Sequence, residues 1–181
     1  MSATGEPVDD GSVVVVRGTR KLLSRLSGAP ASEADKSTTM LGDWYATVLP
    51  WRPRLLVALL VSETTLLPVM MPMAPASTLL QRFPNHLAAV LRRLGVDETV
   101  TAVECAGTVD YRVATTQSRS VLGSMNEFTH LANAYRSGQP DPDLLELSLR
   151  LSTVPCGPLF RRHVSPDGEL LALIHLATAS Q

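Results

Sequence analysis

The chain has 181 residues, 45% of them hydrophobic and 18% charged: the size of one domain, with enough apolar side chain to bury a core. Sixteen Lys and Arg against 17 Asp and Glu leave a formal charge of -1, without the basic excess expected of a nucleic-acid or acidic-membrane binder. Cys105 and Cys156 are the only cysteines, too few for a disulfide framework or a four-ligand zinc site.

Met1 to Gly11 is polar and acidic with no apolar signal segment, so residues 1–12 are expected as a disordered tail before a single globular domain over residues 13–181. Val13 to Val16 reads as a short buried strand. Thr19 can cap a helix over Arg20 to Leu26, and Ser27 to Ser37 reads as a loop. Leu41, Trp44, Tyr45, Val48 and Leu49 fall at helical spacing, which predicts a helix closed by Pro50. Two apolar runs, Leu55 to Val61 and Thr65 to Met71, flank Ser62-Glu63-Thr64 and predict a β-hairpin, with Pro68 placing its second strand at an edge. Leu55 to Met73 is too interrupted, by Glu63, Pro68 and Pro72, to span a membrane, and a cytoplasmic location is expected.

Ala76 to Leu94 keeps a helical period that Pro84 is expected to kink or divide, with Gly95 as the stop. Asp97 can cap a helix ending near Gly107, and Val109, Tyr111 and Val113 alternate with Asp110 and Arg112 as in a half-buried strand. Val121, Met125, Phe128, Ala132 and Tyr135 predict a helix stopping at Gly138. Asp141 with Pro142 opens another through Leu151, and Pro166 opens a last one with Leu170, Leu171 and Ile174 inward. Strands and helices do not alternate strictly, which points to an α+β fold: a small mixed or antiparallel sheet including a hairpin, packed with about five to seven helices.

The decapeptide RSVLGSMNEF at Arg119 to Phe128 resembles the signature of a family of bacterial domains of unknown function. Supporting patterns are GTRKLLSRL at Gly18 to Leu26, STTMLGDWYA at Ser37 to Ala46, LLVSETTLLPV at Leu59 to Val69 and ELSLRLSTVPCGPL at Glu146 to Leu159. Glu127 stands where the signature more often has Asp, which keeps the carboxylate. The resemblance implies a stand-alone cytoplasmic bacterial domain and supplies no activity.

Ser124 and Glu127 fit a capping box, and free amides at such a helix start, together with Arg119 and Ser120, could hold a phosphate or carboxylate. In the alternative, Ser118 caps a longer helix that runs through Gly123, and the glycine permits close packing of another element. Arg17, Lys21 and Arg25, spaced by four, would form a basic stripe on one helix, suited to a phosphate backbone or simply solvated; Arg17 can instead belong to the preceding strand. Ser37, Thr38, Thr39, Asp43, Trp44 and Tyr45 join hydroxyls to aromatics that could stack on a base or pack in the core. Glu63 sits at the hairpin tip; with Asp43 and Asn126 it could do acid–base work if folding gathers them. Cys156 lies in a rigid turn, with His163 the nearest base in sequence, and a small buried thiol is the ordinary alternative. His86, His130, His163 and His175 lack metal-ligand spacing, and no G-x-S-x-G elbow, GxxxxGK[ST] or strand-linked GxGxxG occurs.

Three functional readings follow. The first is a binding module in which Lys21, Thr39, Trp44, Arg119, Ser120, Ser124 and Asn126 hold an anionic small molecule or a nucleic-acid phosphate, with no metal or other cofactor. The second is an enzyme on a nucleotide or phosphorylated substrate, with Asp43 or Glu63 as base. The third is an interaction protein that dimerises or takes a partner through an apolar edge strand near Pro68 to Met73.

Overall fold

The computed structural model describes residues 13–32, 35–137 and 142–179; the expected tail, the helix stop at Gly138 and the helix opening at Asp141 lie outside them. Five strands form one mixed sheet among the described residues: Val14–Gly18 (β1), Trp44–Arg52 (β2), Leu55–Ser62 (β3), Pro68–Pro72 (β4) and Tyr111–Thr115 (β5). Their order is β4-β3-β2-β1-β5, with β1 parallel to β2 and β5, and the β2-β3-β4 meander antiparallel. Six α-helices accompany it among the described residues: Arg20–Leu23 (α1), Leu79–Arg93 (α2), Glu98–Ala106 (α3), Arg119–Ser137 (α4), Leu144–Ser152 (α5) and Pro166–Ala179 (α6). The fold is α+β, as the mixed element order predicts. No helix among the described residues is long and apolar enough to cross a membrane.

Period-two alternation sends side chains to two cores. On one face Val14, Val16, Trp44, Ala46, Val48, Ala58, Leu60 and Met71 pack under Phe83, Leu87 and Leu91 of α2 and Leu170 and Ile174 of α6. On the other, Tyr45, Leu49, Trp51, Leu59, Val61 and Met70 meet Val121, Met125 and Phe128 of α4 and Leu147 and Leu151 of α5.

This burial on both faces corrects the helix expected over Leu41 to Leu49. A strand with apolar side chains on both sides shows no polar alternation, so a helical spacing can be read across it. Pro50, expected as a helix stop, is an exposed residue of β2 beside its register irregularity. Pro84 does not divide α2, whose fifteen residues run through it. Only four residues of the helix expected to Leu26 are helical, and Arg17 belongs to β1, so the basic stripe does not exist. Leu171 is 38% exposed and not on the inner face of α6.

The apolar edge strand expected to invite a partner is closed from within. Pro68, Val69, Met70 and Met71 are buried, and the Met70 amide donates to Ser148 Oγ of α5 at 2.8 Å. Outward donors recur at every second residue of an edge strand, and the positions two away from Met70 are Pro68 and Pro72, which have no N–H. β4 therefore offers no free outward amide.

At the opposite edge, residues 29–31 act as a strap. Ala31 donates to the Val113 carbonyl and Val113 to that of Ala29, at 2.8 and 2.9 Å, so β5 lies between β1 and the strap.

Candidate functional site

Parallel β1 and β5 end side by side, and the chain leaves them in opposite directions. From β1 it passes into α1, whose Leu22 joins the α2-side core; from β5 it passes into α4, which covers the other face. Where neighbouring parallel strands diverge in this way, a crevice opens beyond their carboxyl ends. A cleft of about 770 Å³ lies there, lined by Arg17, Leu26, Pro30, Lys36, Thr115 and Gln117 among others.

Arg17 is the charged group built into this cleft. Strand alternation turns it away from the core that takes Val14 and Val16, and its side chain is 15% exposed. Its Nε donates to Asp43 Oδ2 at 2.6 Å, and Nη1 reaches the Thr115 carbonyl at 3.4 Å. Nη2 has no hydrogen bond among the described residues. Asp43 is held in turn by the Ser37 hydroxyl, donating at 2.7 Å, while that hydroxyl accepts from the Val15 amide at 2.9 Å. Gly42, at φ +70°, makes the turn that delivers Asp43; a Cβ there would stand 2.7 Å from Thr64 Oγ1.

Beside this network the Tyr45 hydroxyl donates to Glu63 Oε1 at 3.3 Å and accepts from the Ser118 amide at 3.1 Å. Burial pushes the Tyr45 phenol above its ordinary pKa, the Ser118 amide works against that, and the Glu63 charge adds to it. Ser118 also caps α4: its hydroxyl accepts from the Val121 amide at 3.3 Å and its carbonyl from Leu122 at 3.1 Å. The amides of Arg119 and Ser120 have no acceptor among the described residues, as the first turn of a helix leaves them.

Folding thus gathers part of the expected site and disperses the rest. Arg119 and Ser120 stand exposed at the true start of α4. The capping box does not form: Ser124 is buried inside α4, Asn126 and Glu127 are exposed along it, and α4 runs straight through Gly123. No element packs closely on that glycine, since a Cβ added there meets nothing within 4 Å. Trp44 is fully buried, edge-on to Phe83 at 4.8 Å, and cannot stack on a ligand. The Thr39 hydroxyl faces the Gly42 carbonyl at 3.4 Å and the Glu104 carboxylate, away from the cleft, and Lys21 lies exposed on α1. Asp43 and Glu63 are joined through backbone, the Glu63 amide donating to the Asp43 carbonyl at 2.8 Å, yet neither lines the cleft.

The Cys156 thiol is buried and pushed up to about 11, chiefly by burial, so it stays protonated at neutral pH, and His163 Nδ1 is engaged with Glu169 at 2.7 Å. No cluster of three or more His, Cys, Asp or Glu among the described residues could hold a metal ion. Sequence reasoning missed Glu104, whose buried carboxylate accepts from the Met40 and Leu41 amides at 3.1 and 3.0 Å. An acidic residue one turn after Thr101, on the inner side of an amphipathic helix, was the available signal.

No curated protein matches the chain, and no solved structure matches it. A family model does match, over residues 15–169, most of the chain, from the second residue of β1 into α6. The chain belongs to the family described as Domain of unknown function (DUF6933).

Proposed function

We propose that the chain is a binding module for an anionic ligand, phosphate-bearing or nucleotide-like, seated in the crevice beyond β1 and β5. The observation that carries this is Arg17: a guanidinium fixed on two sides, with its remaining nitrogen taking no hydrogen bond among the described residues, on the wall of a cleft large enough for a nucleotide-sized molecule. Asp43 and the Thr115 carbonyl orient it before any ligand arrives, which lowers the entropy lost on binding. Gln117 continues the wall toward α4, whose free Arg119 and Ser120 amides and positive helix end favour negative charge. Lys36 supplies a second cation on the rim. The proposed site keeps Arg119 and Ser120 from the expected anion site, leaves out Trp44 and Ser124, and adds Arg17 as its centre.

The test is an amide-resolved NMR titration with inorganic phosphate, AMP and ATP. Shifts confined to residues 28–32 and 113–120, weakened about tenfold or more by Arg17→Lys, are expected, because lysine keeps the charge and loses the fork. No shift with any of the three at about 10 mM, a level that detects even millimolar binding, would sink the proposal.

A further inference from the structure

A second cavity, about 410 Å³ in volume, opens on the opposite side of the molecule from α4, between α3, α6 and residues 38–40. Its walls are mostly apolar, formed by Met40, Val100, Val103, Ile174 and Ala177. In its lining is Glu104, which is 3% exposed. The carboxylate accepts the Leu41 and Met40 amides, one on each oxygen, and the Thr39 hydroxyl lies against it as well, which leaves acceptor capacity on the carboxylate for a further donor. No Lys, Arg or His forms an ion pair with Glu104 among the described residues. Its surroundings resist the charge: burial is the largest influence on the carboxyl and raises its pKa above the ordinary value, with the two amides, then Thr39, opposing.

A carboxylate without a counter-charge in an apolar wall is an expensive arrangement, because buried charges are ordinarily paired. It becomes favourable when a cation of the right shape enters. The Val103 side of the cleft is open to solvent, Val103 being 69% exposed, so a small molecule can reach it.

We propose that this cavity is a binding site for a small apolar organic ammonium, its hydrocarbon part against Val100, Met40 and Ile174 and its N–H groups donating to Glu104. At ~30 Å³ for each water-sized group, the volume admits roughly a dozen non-hydrogen atoms. The site is separate from the anion crevice, and neither depends on the other being occupied.

The experiment is an amide-resolved titration of the whole chain with benzylamine, kept as its ammonium at pH 7, and with benzyl alcohol, its uncharged counterpart. Benzylamine is expected to shift the amides of residues 38–41 and 99–107, with a Kd in the millimolar range or below. Benzyl alcohol is expected to bind at least about tenfold more weakly, since a charge-assisted hydrogen bond is the stronger one. E104Q, which keeps the shape and removes the charge, is expected to equalise the two. Equal binding of the two probes by the wild-type chain overturns the proposal and leaves Glu104 as a strut for the Met40–Leu41 turn. So does the absence of shifts at these residues. Because the two probes are compared on the wild-type chain, the outcome is decisive even if E104Q folds poorly.

Discussion

Replacing Ser148 by alanine removes the acceptor for the one outward amide of β4. Met70 is 2% exposed and Ser148 fully buried, so no water replaces the lost hydroxyl, and the Met70 N–H is left unsatisfied. An orphaned buried donor costs about 1–3 kcal/mol. For a chain of this length each kcal/mol corresponds to about 2–4 °C, so Tm is expected to fall by roughly 2–12 °C. Ser152→Ala is the control: its hydroxyl, also buried, only donates to the Leu149 carbonyl inside α5, and no donor depends on it. Urea unfolding followed by circular dichroism gives the two stabilities, and hydrogen exchange at the Met70 amide gives the local effect. Ser148→Ala is expected to lose more stability than Ser152→Ala and to expose the Met70 amide to exchange. Equal midpoints for the two variants, with Met70 still protected, would refute the view that a side chain seals this edge.

Gly123 is the fifth residue of a nineteen-residue helix, past its first turn, with open space where a Cβ would be, so Gly123→Ala is expected to stabilise by about 0.5–1 kcal/mol; a loss of stability in urea titration would contradict that geometry. The Thr101 hydroxyl is buried with no hydrogen-bond partner among the described residues, and Thr101→Val, nearly isosteric, is expected to raise stability by about 1 kcal/mol, read as a higher Tm. Glu104 gives the pH dependence its sign. Its carboxyl is raised above the ordinary 4.5, chiefly by burial, so between that value and its folded pKa the folded chain holds the extra proton. Its contribution to stability is complete below about pH 4.5 and is lost as pH rises through the folded value. Wild-type stability minus that of Glu104→Gln is therefore expected to decline from acid toward neutral pH, and a flat or rising difference would overturn the assignment.

Much of the fold could be read from the chain because local chemistry decided it. The Val13–Val16 run became β1, Asp97 caps α3 through the Thr99 amide, and the two apolar runs around Glu63 form the antiparallel β3-β4 pair. What escaped depended on partners far along the chain. Trp44, Tyr45, Val48 and Leu49 satisfy a helical period and a doubly buried strand equally well, and only the ladder from Trp44↔Ser62 onward decides between them. The candidate site shows the same division. Arg119 and Ser120 at a helix start were legible from the motif, whereas Arg17 gains its position from Asp43 and Thr115, contributed by other elements. Ser124 looked like a cap because the pattern S-x-x-E is short, and Val121 on the same stripe was the residue that argued for a longer helix.

The strap at residues 29–31 ties the crevice to the docking of β5. β5 is paired with β1 on one side and with chain far earlier in the sequence on the other, non-local contacts of the kind that slow folding. Floor and wall of the crevice therefore come into being together, and a chain whose β5 has not docked lacks the cleft proposed for the anion. An occupant of the crevice would act as a latch on β5, stabilising the docked strand by an amount that grows with the logarithm of its concentration over its Kd.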